Sequence, residues 1–119
     1  MEDATTIKEG ETTSNLNILN NETYSGDNTS LSVYSVDGTT FASLTDSSDS
    51  TYTSANGYKQ VAGTYGTLYI KSTGESYYVH DGGDDGGQTD TFSYVATDGT
   101  NQDTSSAGTI SLSLSLIHI

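Results

Sequence analysis

TDTFSYVATDGTNQDTSSAGTISLSLSL, residues Thr89 to Leu116, holds two runs that alternate strictly between apolar and polar side chains. Phe92, Tyr94 and Ala96 share one face of the first run. Ile110, Leu112, Leu114 and Leu116 share one face of the second, with serines between them. A period of two marks strands buried on one side only. Between the runs lies Asp98-Gly99-Thr100-Asn101-Gln102-Asp103, a polar turn rich in oxygen ligands. The pattern predicts a long antiparallel hairpin from Asp90 to Leu116, whose apolar face is half of a sandwich core. Its connecting loop is a candidate cation site.

Working outward, the remaining sequence is equally poor in helix signals and rich in turn, β-branched and aromatic residues. The chain of 119 residues fits one domain, 1–119, with a modest core. A short edge strand is expected over Thr5 to Lys8, followed by a turn at Glu9-Gly10-Glu11. Ser14 to Leu19 reads as a strand with Leu16 and Ile18 inward, and Asn20 to Thr29 as a polar loop. Leu31 to Val36 is a second strand, ended by the turn pair Asp37-Gly38. Phe41 and Leu44 mark a weaker strand, and Thr45 to Asn56 has the composition of a loop. Tyr58 to Ala62 is a strand. Gly66 to Lys71 places Leu68 and Ile70 on one face. After the turn Ser72-Thr73-Gly74, Glu75 to His80 is the partner strand, with Tyr77 and Val79 inward. Asp81 to Gln88 is a glycine-aspartate loop. Short strands separated by frequent turns read as an antiparallel sandwich.

The charge balance is extreme: 16 acidic residues against three lysines, a net charge of −13. This excludes the basic surface that nucleic acid requires and electrostatic attachment to anionic lipid. It favours a highly solvated surface, or divalent cations that neutralise clustered carboxylates. Cysteine is absent, so neither a disulfide nor a zinc-thiolate site is available. No apolar run approaches the length of a membrane helix. Met1-Glu2-Asp3 opens acidic, without the features of a signal peptide, and the domain is expected to be cut from a longer, multi-repeat protein.

Three stretches carry a family likeness. GTYGTLYIKSTGESYYV, Gly63 to Val79, resembles the central hairpin of the VCBS and bacterial cadherin-like repeats of very large secreted surface adhesins. GGQTDTFSYVATDGT, Gly86 to Thr100, resembles the strand and Asp-Gly turn that follow there. IKEGETTSNLNILNNETYSGDNTSLSVYSVDG, Ile7 to Gly38, resembles the family's opening. The resemblance implies an all-β, antiparallel Greek-key sandwich of the immunoglobulin or cadherin-like kind, with about seven to nine strands. It also implies Ca²⁺ bound where the first turn, the loop after the second strand and the last hairpin loop converge. Carried onto this chain, the ligands are Glu9, Asn21, Glu22, Asp27 and Asp98, oxygen donors of the type calcium takes. The opening loop has fewer carboxylates than the family pattern, and Asp46 to Asn56 has no counterpart in it.

The chemistry of enzymes finds little footing. Glycoside hydrolysis needs two carboxylates at a set separation in a cleft with aromatic platforms, and tryptophan is absent. No nucleophile elbow accompanies the serines, and no phosphate-binding glycine loop is followed by lysine. His80 and His118 are expected on exposed positions. Most tyrosines should pack in the core or across strands. Tyr69 and Tyr78 are expected together on the outer face of their hairpin, where paired rings can stack on sugars.

The expectation is therefore a non-enzymatic extender repeat of a bacterial cell-surface adhesin, extracellular and calcium-stabilised, serving cell adhesion or biofilm formation. Its partners would be neighbouring repeats and a cell-surface glycan or protein, with no nucleic acid and no membrane insertion. The alternatives are a carbohydrate-binding sandwich using Tyr69 and Tyr78, and a homophilic self-association domain pairing through sheet edges.

Overall fold

A computed structural model describes residues 2–8, 10–13, 15, 16, 18, 32–82, 87–97 and 102–115. Among the described residues nine strands form: β1 (Glu2–Lys8), β2 (Ser32–Val36), β3 (Thr39–Thr40), β4 (Thr45–Asp46), β5 (Lys59–Ala62), β6 (Gly66–Ile70), β7 (Ser76–His80), β8 (Thr89–Thr97) and β9 (Gln102–Ser115). They lie in two sheets, ordered β1-β9-β8-β2-β3 and β4-β5-β6-β7. The fold is an all-β sandwich, and its core draws on both sheets. Ile7, Val33, Val36, Phe92, Tyr94, Ile110, Leu112 and Leu114 come from the first sheet; Leu68, Ile70 and Tyr78 come from the second. The rings of Tyr78 and Phe92 meet edge-on across the gap, with centroids 6.0 Å apart.

The β8–β9 hairpin forms as its alternation implies. Phe92 lies opposite Ile110 and Asp90 opposite Leu112, and Phe92, Tyr94, Ala96, Ile110, Leu112 and Leu114 are all buried. Tyr94 lies opposite Gly108. A Cβ on Gly108 would come within 2.5 Å of the Tyr94 ring, so only glycine leaves room there. The turn after β2 uses left-handed backbone at Asp37 (φ 51°) and Gly38 (φ 82°), which matches the twist of a two-residue hairpin.

Four expectations need correction. First, the edge strand is longer than Thr5 to Lys8 and runs parallel to β9, Glu2 opposite Thr109 through Lys8 opposite Ser115. A parallel pair needs a long connection, and here nearly the whole chain supplies it. Second, the described part of Ser14 to Leu19 is not a regular strand, although Ile18 is buried. Thr12 instead bridges Val79 at the open edge of β7, and Thr13, Asn15 and Leu16 bond to the same edge. Thr13 and Leu16 donate amides to the Tyr78 and Ser76 carbonyls. The Thr13 hydroxyl and Asn15 carbonyl oxygens accept from the Tyr78 and Ser76 amides. Side-chain oxygens thus replace part of the backbone ladder, a competition typical of Thr and Asn. Third, Phe41–Ser43 forms a single 3-10 turn rather than a strand, carrying the chain from one sheet to the other.

The fourth correction concerns the phase of β7. Ser76, Tyr78 and His80 are buried, and Tyr77 and Val79 face the other way. The register is the cause: Leu68 lies opposite Tyr78 and Ile70 opposite Ser76. Residues directly opposite share a face, so inward Leu68 and Ile70 bring Tyr78 and Ser76 inward with them. His118 lies outside the described residues, and His80, also expected on an exposed position, is likewise buried. Its Nδ1 accepts hydrogen bonds from the amides of Gly10 (2.7 Å) and Gly82 (3.1 Å), fastening the turn after β1.

Candidate functional site

The outward phase of the second sheet carries a cluster of four tyrosines. Tyr69 on β6 lies opposite Tyr77 on β7. Tyr58 immediately precedes β5, and Tyr52 comes from the loop between β4 and β5. That loop is built by local polar contacts. The Asp49 carboxylate accepts the amides of Thr51 (2.7 Å) and Tyr52 (2.9 Å), an Asx turn of the kind aspartate favours. The Ser47 hydroxyl donates to the Tyr52 carbonyl. Ser48 is held to Gln60, amide to side-chain carbonyl, at 2.9 Å. Gly57 closes the loop in left-handed backbone (φ 96°), and Asp46 pairs with Lys59 at 2.7 Å.

Anchored in this way, the Tyr52 ring stacks on Tyr77 (centroids 4.7 Å, planes 23° apart) and on Tyr69 (5.3 Å, 23°). It meets Tyr58 edge-on at 5.5 Å. The Tyr58 hydroxyl donates to the Glu75 carboxylate, and Lys71 Nζ lies 5.4 Å from the Tyr58 ring centre. Tyr52, Tyr69 and Tyr77 are half-buried; Tyr58 is nearly covered. Burial raises the phenol pKa of Tyr52, Tyr58 and Tyr69 above the usual value near 10, and the hydrogen bond to Glu75 raises that of Tyr58 further. All three phenols therefore keep their protons at neutral pH.

The expected sugar platform of Tyr69 and Tyr78 does not form. Tyr78 is buried, and its hydroxyl donates to Asp90 Oδ2 at 2.8 Å. Tyr77 takes the place beside Tyr69, and Tyr52 lies against both. Asp90 is itself buried, and it also accepts the amides of Thr64 (3.1 Å) and Tyr65 (3.0 Å). It pins the turn between β5 and β6 to β8 and so ties the two sheets together. The proposed calcium ligands Glu9, Asn21, Glu22, Asp27 and Asp98 all lie outside the described residues. Among the described residues, no group of three or more acidic or histidine side chains is placed to hold a metal ion. A groove at the first sheet is lined by Ser35, Gly38, Ser93, Tyr94, Val95, Gly108 and Thr109, with no acidic, basic or histidine side chain among them.

No model of a known protein family matches the chain, and no curated protein is significantly similar to it.

Proposed function

We propose that this sandwich is a non-enzymatic extender repeat of a bacterial cell-surface adhesin, working outside the cell between neighbouring repeats and stabilised by calcium. The observation that carries the reading is the course of the terminal strands. β1 and β9 are adjacent and parallel, so the chain passes through both in the same direction. Glu2 lies beside Thr109 and Ser115 beside Lys8. Entry and exit are thus offset by six residues, about 20 Å at the usual strand rise. The long axis of the molecule is 49 Å, against 28 and 21 Å for the others. Copies joined head to tail through such strands would be displaced along the strand direction, as a spacer requires. Small-angle scattering of a two-copy tandem tests this: a maximum dimension near twice that of one copy is expected, and a folded-back pair would contradict it.

Calcium enters through the family resemblance and the charge of −13. Ions bound at the loops would cancel carboxylate repulsion, and at a hundredfold excess over the dissociation constant they would add about 2.7 kcal/mol. A melting temperature that rises in Ca²⁺ beyond its value in Mg²⁺ at equal ionic strength is the expected result. Identical melting in EDTA, Mg²⁺ and Ca²⁺ would remove calcium from the proposal. A second reading, glycan recognition, rests on the half-exposed rings of Tyr69, Tyr77 and Tyr52. It requires glycan-array binding that is lost in Tyr69→Ala and Tyr77→Ala while the fold persists.

A further inference from the structure

We propose that the outer tyrosine cluster is a site of oxidative cross-linking, in which Tyr52 and Tyr77 join through a carbon–carbon bond and fasten the β4–β5 loop to β7. The oxidant class is a haem peroxidase with hydrogen peroxide.

Three observations support the site. The Tyr52 and Tyr77 rings are close and nearly parallel, 4.7 Å between centroids and 23° between planes. At such a spacing the edges of offset rings are in van der Waals contact. Tyr77 sits on a strand paired to β6 and Tyr52 on the β4–β5 loop, so a bond between them joins two separate elements. Next, a proton acceptor is already in place: the Tyr58 hydroxyl donates to the Glu75 carboxylate. Removing an electron from Tyr58 can pass its proton along that hydrogen bond. Tyr58 lies 5.5 Å from Tyr52 and 6.4 Å from Tyr77 between ring centres, so the radical can be handed to either. Finally, the chain has no cysteine, no tryptophan and a single methionine, which leaves tyrosine as the main oxidisable side chain. Within the set, Tyr78 and Tyr94 are shielded in the core, and Tyr52, Tyr69 and Tyr77 are reachable.

The chemistry balances. Each phenol gives up one electron and one proton, and the two phenoxyl radicals couple at ring carbons ortho to their oxygens. The hydrogens on those two carbons then move to the oxygens as the rings regain aromaticity. The pair of tyrosines loses two hydrogen atoms in all, and one hydrogen peroxide takes them up to become two waters. In a chain without disulfides, the product serves as the covalent staple that cysteine cannot supply.

The test is oxidation of the dilute folded protein with a haem peroxidase and hydrogen peroxide, read by dityrosine fluorescence and by mass spectrometry of the digested monomer. The expected product is a monomer whose Tyr52 and Tyr77 peptides are joined and lighter by two hydrogens, and which melts at a higher temperature than the unoxidised chain. Tyr52→Phe, which keeps the stacked ring, should reduce the internal cross-link to background, and Tyr65→Phe, outside the cluster, should leave it intact. Circular dichroism establishes that each variant is folded. Links only between molecules, oxygen addition without coupling, or an internal link that survives Tyr52→Phe would each overturn the proposal.

Discussion

Tyr77 and Tyr78 are neighbours in the chain and lie on opposite sides of the same sheet. Tyr78 fills the space between the sheets, meets Phe92 edge-on and gives its hydroxyl to buried Asp90. Tyr77 is half-exposed and holds a loop, through Tyr52, against the outside of the sheet. The same side chain thus does two jobs, set by a single step along the strand. Inside, the ring brings a large apolar area together with a polar tip that must find a partner. Outside, the ring contributes mainly by stacking. The sandwich depends on the inner aromatic layer, and the outer layer shapes a surface.

The sharpest way to break this contrast is to remove each ring in turn. Tyr78→Ala should cost about 3–5 kcal/mol in urea unfolding, the range for truncating a buried aromatic. Asp90→Asn should cost about 2 kcal/mol, because its amide group would face donors where a carboxylate now accepts from two amides and a hydroxyl. Tyr77→Ala should cost only about 1 kcal/mol, the worth of an aromatic contact at the surface. Equal losses for Tyr77→Ala and Tyr78→Ala would end the distinction. Asp49→Ala, which frees the Thr51 and Tyr52 amides in a solvated loop, should cost about 0.5 kcal/mol. The smallest effect is alkaline. The folded Tyr58 phenol holds its proton more tightly than an unfolded one, whose value is near 10. Its contribution is therefore complete below pH 10 and is lost as pH climbs through the higher folded value. Above pH 10 the melting temperature of the parent chain should fall more steeply than that of Tyr58→Phe.

Much of the fold was legible in single residues. The alternation in β8 and β9 marked the buried faces, and Asp37-Gly38 and Ser72-Thr73-Gly74 marked turns that form. The phase of β7 was ambiguous because Tyr77, Tyr78 and Val79 place large apolar groups on both faces. Cross-strand register resolves such a case, and the inward Leu68 and Ile70 already carried that information. The role of Asp90 was missed: it lies in phase with Phe92, Tyr94 and Ala96, but an acid in that phase reads as a strand end unless its donors are known. Those donors, the amides of Thr64 and Tyr65, lie in a distant turn. The outer cluster was hidden for the same reason. Asp49 signals a turn, but nothing local tells that its loop lays Tyr52 across two strands. The calcium ligands were drawn from resemblance and fall outside the described residues.

Hydroxyl-radical footprinting of all tyrosines, resolved by peptide mass spectrometry, tests the assignment of faces most directly. Tyr52, Tyr69 and Tyr77 should be modified in the folded protein, with Tyr78 and Tyr94 protected until the chain unfolds. Modification of Tyr78 as fast as Tyr77 would contradict the register of β7, and with it the account of both aromatic layers.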